Sequence, residues 1–293
     1  HRVSGMSKWT RMDPMSSRNS SPQSQRRTLI AIGWMSLAMC CIGLVDAIAK
    51  QLASQLNGVQ VAWSYFVAIL TLLLGFLVVR TRGNARRLLS GFRTRRPLLQ
   101  ATRGACLVGS LSLLFFSLTY LELAVATVVS FTAPLFVVAL AAPLLGERVS
   151  AQRWAAVCIG LLGALIVARP GAGVFGWAAL LPLAGAVFFS LFHIITRKLH
   201  DTETAVATLF YTFLTGSLLL SAAMPFVWRA MSSMDIALSV LNGGLGLIAH
   251  GALVRSLSLA DASMLAPLNY LRLVWAIGLG LLLFGEVPDA YTL

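Results

Sequence analysis

The sequence predicts an all-α polytopic membrane protein. Three features point there. Of its 293 residues, 58% are hydrophobic and 11% charged; the apolar residues gather into long runs; and the Lys and Arg residues gather into alternate segments between those runs. Soluble domains carry about 25% charged residues. A core of this size cannot hide so much apolar surface, whereas lipid accepts it.

The elements follow in order. Residues 1–28 are polar, rich in Ser and Arg, and read as a disordered cytoplasmic tail. The chain begins with His1 rather than Met, which suggests a gene-model or fragment boundary. No cleavable signal peptide is apparent, because the first apolar run is too long and others follow it. Spanning a bilayer takes about 20 mostly apolar residues. Runs of that kind occupy 29–49, 59–79, 100–119, 123–145, 152–169, 174–195, 205–226, 236–254 and 262–284, nine in all. Each is expected to be helical, since a lipid-embedded backbone must satisfy its polar groups within the segment. A β-barrel would show short alternating segments instead.

Charge sets the expected orientation. With the N-terminus in the cytoplasm, the inside segments hold six Lys/Arg in the tail, eight from Arg80 to Arg103, then Arg148, Arg153, Arg197, Lys198 and Arg255, nineteen in total. The outside segments hold three, Lys50, Arg169 and Arg229, and Arg272 lies within a run. This is the positive-inside pattern. The net charge of +13 is therefore read as topology, and no nucleic-acid partner is expected, since the aromatic–basic interleaving of an RNA platform is absent.

The fourth run ends Ala142-Pro143-Leu144-Leu145-Gly146-Glu147-Arg148, and the ninth ends Leu281-Leu282-Leu283-Phe284-Gly285-Glu286-Val287. Both close on an apolar stretch and Gly-Glu, five runs apart, so the two units point in opposite directions across the membrane. The match is loose: Pro134 lies 13 residues before Glu147, and Pro267 lies 19 before Glu286. An inverted-topology repeat of this kind marks secondary transporters.

From Leu121 to Gly171 the chain carries Ala124-x-Ala126-x-x-x-x-Ser130-Phe131-x-x-Pro134, Leu145-Gly146-Glu147-Arg148-Val149, Gln152-Arg153-Trp154, Gly160-Leu161-Leu162-Gly163 and Ala168-Arg169-Pro170-Gly171. Its second half carries Ala266-Pro267-x-x-Tyr270 and Phe284-Gly285-Glu286-Val287-Pro288-Asp289. On these motifs, over roughly residues 30–290, the chain resembles the EamA type of the drug/metabolite transporter superfamily. The resemblance implies two inverted five-helix repeats, ten helices, both termini inside, and movement of a small metabolite across a bacterial inner membrane. The first repeat would span 29–171. The second, 172–293, would hold four helices, with the tenth missing; a truncated or non-transporting protein of the same fold is the alternative. The segment at Ala266 is similar to that of family members that move S-adenosylmethionine, riboflavin or amino acids. Ser64 and Tyr65 lie where many relatives carry an arginine.

Polar residues inside the runs are the candidates for a substrate site: Arg272, Asn269, Tyr270, Tyr211, Ser64 and Trp275. A cation at bilayer depth costs at least about 2.5–3.5 kcal/mol, so Arg272 is expected to face the bundle interior. Contact with an anionic or carbonyl-bearing substrate fits it, as does pairing with backbone carbonyls or an aromatic face. Asn269, three residues earlier, shares its helix face, and Pro267 would free a carbonyl and kink the helix one turn before. Trp63 and Tyr65 read as interfacial anchors, while Tyr211 lies deeper. Asp46 and Lys50, four apart, read as an i,i+4 ion pair or a polar element at a cavity mouth. His193 and His250 read as hydrogen-bonded packing or as proton carriers. Asn242-Gly243-Gly244-x-Gly246 reads as close packing or a flexible point, and Gly160 with Ala164 as a close-packing pair. The Gly-Glu ends read as helix terminators or gating contacts.

The ten acids all read as lying in tails, loops or helix ends, which disfavours coupling through a buried carboxylate. The four cysteines, Cys40, Cys41, Cys106 and Cys158, fall in apolar runs without metal-ligand spacing. No metal, cofactor or enzymatic activity is expected, since no HExxH, GxSxG or clustered acids are present. The expected partners are a small metabolite and the lipid bilayer, with a homodimer left open.

Overall fold

Side chains mark where the helices begin. Asn57 accepts the Val59 N–H at 2.9 Å, Asn84 that of Arg87 at 3.2 Å, and Thr204 that of Ala207 at 3.2 Å, each satisfying an amide that a first turn leaves orphaned. Ser232 and Asp235 cap reciprocally: the Ser232 N–H donates to the Asp235 carboxylate at 2.8 Å, and the Asp235 N–H to Ser232 Oγ at 3.2 Å. Pro97 opens a further helix, where its missing N–H costs nothing.

The computed structural model describes residues 22–145, 155, 159, 162, 177–199, 202–257, 259, 265, 268–269 and 271–286. Among them there is no strand. The helices are α1 (Pro22–Ala53), α2 (Gly58–Arg80), α3 (Ala85–Gly91), α4 (Pro97–Ser117), α5 (Leu123–Ser130), α6 (Ala133–Leu145), α7 (Leu180–Leu199), α8 (Ala205–Val227), α9 (Ser233–Leu257) and α10 (Leu271–Phe284). The tail to residue 21 and nearly all of the expected run 152–169 lie outside the described residues. So do Gly146, Glu147, Cys158, Gly160, Ala164, Pro267 and Tyr270.

Two expectations are corrected, and the ninth run is placed in more detail. The run 123–145 is two helices, broken at Phe131–Thr132. Pro134 supplies no N–H there, and Ser130 and Thr132 turn their hydroxyls onto the Ala126 and Val129 carbonyls at 2.8 and 2.7 Å. In the expected run 262–284, Leu265 is helical, Leu268 and Asn269 form a 3₁₀ turn, and α10 begins at Leu271. The basic stretch after α2 folds a short capped helix, α3, and its last arginine, Arg103, is buried inside α4 rather than lying in a loop.

α1 packs on α9 and α10; α2 packs on α4, α8 and α9; α4 packs on α7 and α8; α5 lies against α7 and α10, and α6 against α7. Phe66, Phe115 and Phe213 are fully buried at the meeting of α2, α4 and α8. Phe226, Leu282, Val79, Phe76 and Leu218 point outward and are exposed. Apolar surface so extensive belongs against lipid rather than water. Five helices, over 25–53, 58–80, 97–117, 205–227 and 233–256, are long and apolar enough to cross a membrane. The chain is a polytopic α-helical membrane protein.

Candidate functional site

The interior of the bundle carries three layers of polar groups. The first is at the end where α1 finishes and α2 begins. Glu286 follows Gly285, whose φ of 66° is left-handed and ends α10. That places the Glu286 carboxylate beside Lys50 of α1, with which it forms an ion pair. Its Oε2 also accepts the Leu123 N–H at 2.9 Å. This is the first turn of α5, which gets no side-chain bond from its own N-cap, Glu122. A carboxylate is favoured at that position by the helix dipole. Lys50 Nζ donates to the Leu121 carbonyl at 2.8 Å and lies 5.4 Å from the Phe284 ring. Gly285-Glu286 is thus a helix end and also a contact that ties α1, α5 and α10 together.

The second layer lies about one turn deeper along α1. Arg272 Nε donates to Asp46 Oδ2 at 2.7 Å, joining α10 to α1. Asp46 is 3% exposed. The expected Asp46–Lys50 pair is therefore replaced by two cross-helix pairs, Asp46–Arg272 and Lys50–Glu286. Asp46 is also a buried acid, contrary to expectation, because α1 continues to Ala53 and leaves it seven residues inside the helix. Tyr65 lies within electrostatic reach of both charges. It is buried, edge-on to Phe66 and Phe115, and its hydroxyl is 3.4 Å from His250 Nε2. Tyr65 is an interior residue and not an interfacial anchor. It reaches α9 because Gly246 has no side chain: a Cβ there would sit 2.6 Å from the Tyr65 ring.

The third layer is toward the opposite end. Arg103 Nε donates to Thr196 Oγ1 of α7 at 2.6 Å, and Nη1 donates to the Thr208 carbonyl of α8 at 3.3 Å and to Thr212 Oγ1. The guanidinium lies 4.2 Å from the centre of the Phe192 ring, a cation–π contact. His193 sits edge-on to Phe189 and Phe192 and within electrostatic reach of Arg103. Just beyond, outside the span, Glu203 accepts the Arg95 N–H at 2.9 Å. Burial alone would raise its carboxyl; bonds from the Arg95 N–H, Thr94, Gln100 and the Arg96 N–H outweigh that and hold it below the usual carboxylate range.

The expected site residues fall as follows. Arg272 and Trp275 stand one turn apart on α10, with Trp275 packed against Gly43 of α1. Asn269 is half-buried just before them, and Tyr270 lies outside the described residues. Ser64 is buried and donates to the Val61 carbonyl of its own helix at 2.9 Å, leaving Tyr65 as the residue of α2 that meets Arg272's layer. Tyr211 is half-buried and edge-on to Phe210, while its neighbour Thr212 faces Arg103. Arg103 was missed, and Asp46 was named only as an ion-pair or cavity-mouth residue, not as a buried partner of Arg272. Pro97 was the available signal for Arg103, since a Pro that opens a helix puts the arginine six residues inside it. For Asp46 the signal was the run Ala47, Ile48, Ala49, Leu52 and Ala53, which keeps the helix going past it.

Lipid-facing apolar helices around a charged and hydroxyl-lined interior define an integral membrane transporter. Comparison with known proteins identifies which. The EamA-like transporter family matches residues 29–169. The S-adenosylmethionine uptake transporter of Rickettsia prowazekii is 30% identical over 265 residues, 90% of this chain and 87% of that one. The riboflavin transporter of Rhizobium johnstonii is 29% identical, over 90% and 86% of the two chains. The pseudopaline exporter CntI of Pseudomonas aeruginosa is 27% identical, over 88% of each. A crystal structure with 19% identity shares the fold at a TM-score of 0.59, over 92% of this chain and 91% of its own. The chain belongs to the EamA-like transporter family of the drug/metabolite transporter superfamily.

Proposed function

We propose that this transporter carries a small organic metabolite across a bacterial cytoplasmic membrane by alternating access, without chemistry on its cargo. The observation that carries the reading is the layered interior, in which Lys50–Glu286, Asp46–Arg272 and Arg103 lie one beyond another inside an apolar bundle. Charges at bilayer depth are costly and mark a transport path. The Glu286 contact with Lys50 and Leu123 joins three helices at one end of that path, and separating it would open the path there. The relatives move S-adenosylmethionine, riboflavin and pseudopaline, three polar organic metabolites in two directions, so the reading does not choose between uptake and export.

The Lys/Arg bias supports a cytoplasmic N-terminus. With Arg103 counted as buried, eighteen inside residues still face three outside ones. The break after α5 beside Pro134, and the 3₁₀ turn before α10 beside Pro267, support two inverted repeats divided near residue 171. Arg272, Asn269, Tyr270, Tyr211, Ser64 and Trp275 remain the proposed substrate contacts, Arg272 engaging cargo when it exchanges Asp46 for it.

The test is counterflow in proteoliposomes of the full chain, with labelled S-adenosylmethionine, riboflavin and a metabolite panel. Saturable exchange of at least one compound is expected. Folded protein that exchanges none of them refutes the reading.

A further inference from the structure

The three interior cations are not equivalent. Lys50 has Glu286 and Arg272 has Asp46. Arg103 is 5% exposed, and among the described residues no carboxylate lies against it. Its partners, Thr196 Oγ1, Thr212 Oγ1, the Thr208 carbonyl and the Phe192 ring, are all neutral. Glu203, one layer out, is engaged with Arg95. An uncompensated cation at this depth is costly, and such residues mark substrate or ion paths.

The hydrogen bonds show which part of the guanidinium is held and which is free. The Thr196 hydroxyl donates to the Phe192 carbonyl at 2.6 Å, and that of Thr212 donates to the Thr208 carbonyl at 2.6 Å. Each hydroxyl therefore has only lone pairs to offer, and each accepts from Arg103. Nε and Nη1 are fixed from behind in this way, and the two N–H groups of Nη2 meet no acceptor among the described residues. Within electrostatic reach of the guanidinium, and edge-on to the same Phe192 ring that it stacks over, is His193. At 100° per residue it shares the packed face of α7 with Ala186 and Ser190, both buried, yet it is itself exposed. Its ring is therefore accessible to a molecule that reaches that depth. The depth agrees across three helices: Arg103 lies six residues into α4, Thr212 seven into α8, and Thr196 three from the end of α7, so all lie roughly 5–10 Å from the same end at about 1.5 Å per residue.

We infer that Arg103 and His193 form a carboxylate-binding subsite on the transport path, Nη2 and the imidazole holding the two oxygens of a carboxylate-bearing metabolite. Two N–H groups in a plane and one imidazole suit a planar monoanion. A phosphate dianion would be left short of both donors and charge. The inference rests on the transport reading for its setting, but it concerns binding and is tested by binding.

The experiment uses the full chain in lipid nanodiscs. Thermal stabilisation is titrated with S-adenosylmethionine, methionine and succinate, each against its methyl ester, and with riboflavin and inorganic phosphate. At least one acid is expected to bind ten-fold or more tighter than its ester. Arg103→Gln should bring acid down to the level of ester while leaving the ester's affinity in place. Arg103→Lys, which keeps the charge and therefore the fold but not the fork, should lose several-fold of the preference. No acid binding, an unchanged acid-to-ester ratio in both variants, or phosphate binding more tightly than every acid overturns the subsite. Vesicles that exchange no compound while acids still bind through Arg103 would sink the transport reading and leave the subsite standing.

Discussion

Replacing Arg272 with alanine leaves the Asp46 carboxylate buried with its ion-pair partner gone. The pair is close, 2.7 Å from Nε to Oδ2, and Asp46 is 3% exposed. Removing one member of a buried pair costs about 3–5 kcal/mol, because the remaining charge keeps its desolvation penalty and loses its compensation. Replacing both members with neutral residues of similar shape removes the penalty and the attraction together, so Asp46→Asn with Arg272→Gln should be destabilised far less than either single variant. The predicted coupling is of the order of 2–3 kcal/mol, within the range for directly contacting residues. Chemical unfolding in nanodiscs measures it as a double-mutant cycle. Transport separates the two roles of the pair. Arg272→Ala should insert into the membrane, since deleting a cation makes insertion easier, but lose uptake. The double variant should recover stability and stay inactive. Additive stability changes, or single variants within about 0.5 kcal/mol of the parent, would refute the pair as a buried structural link. Full uptake by Arg272→Ala would remove Arg272 from the site.

Other outcomes follow from the same contacts. Glu286→Gln keeps an oxygen for the Leu123 N–H but loses the ion pair with Lys50, while Glu286→Ala loses both; hydrogen exchange at the Leu123 amide should accelerate strongly in the alanine variant and little in the glutamine one, and equal rates would contradict the capping role. Gly246→Ala places a Cβ 2.6 Å from the Tyr65 ring and 2.7 Å from its hydroxyl, an overpacking expected to cost about 1–3 kcal/mol and to displace Tyr65 from His250; an unchanged unfolding midpoint would count against that packing. The Glu203 carboxyl is held below its ordinary value of 4.5, so its contribution is present above that value and fades as pH falls through the lowered one. Wild type should lose stability below about pH 4.5 more steeply than Glu203→Gln, measured as unfolding midpoint against pH, and parallel curves would exclude it.

Hydropathy made the spans legible, because lipid imposes the same demand on every turn of a crossing helix. α2, α4, α8 and α9 lie where the apolar runs place them, within a few residues, and α1 extends beyond its run at both ends. What hydropathy does not carry is rotation. A helix turns 100° per residue, so a choice that is off by one lands on another face. Ser64 bonds its own helix while its neighbour Tyr65 reaches Arg272's layer, and Thr212, next to Tyr211, is the one that meets Arg103. Nor does it carry partners. Lys50 and Asp46 are neighbours on one helix, and each instead meets a residue of α10 or its end, more than 200 positions away. Only the fold brings those together, since burial between helices makes an unlike charge on another helix a closer neighbour than one along the same helix.

The pairing pattern also bears on how the path could work. A cation neutralised by a carboxylate on a neighbouring helix ties the two helices, and the tie is released only when something replaces the partner. Lys50–Glu286 and Asp46–Arg272 are ties of this kind, joining α1 to α10 at two depths, with α5 attached through Leu123. Arg103 differs: it is held by a hydroxyl of α7 and a hydroxyl and a carbonyl of α8, and binding an anion would add charge compensation without breaking any of those bonds. An anionic cargo seated at Arg103 would therefore bind without moving helices. The same cargo advancing to Arg272 would have to displace Asp46, and that exchange would loosen α1 from α10. Binding at one layer and helix release at the next is an order of events that the arrangement of charges supports. Cross-linking α1 to α10 should then block transport while leaving acid binding at Arg103 intact, and loss of binding in the cross-linked protein would refute that order.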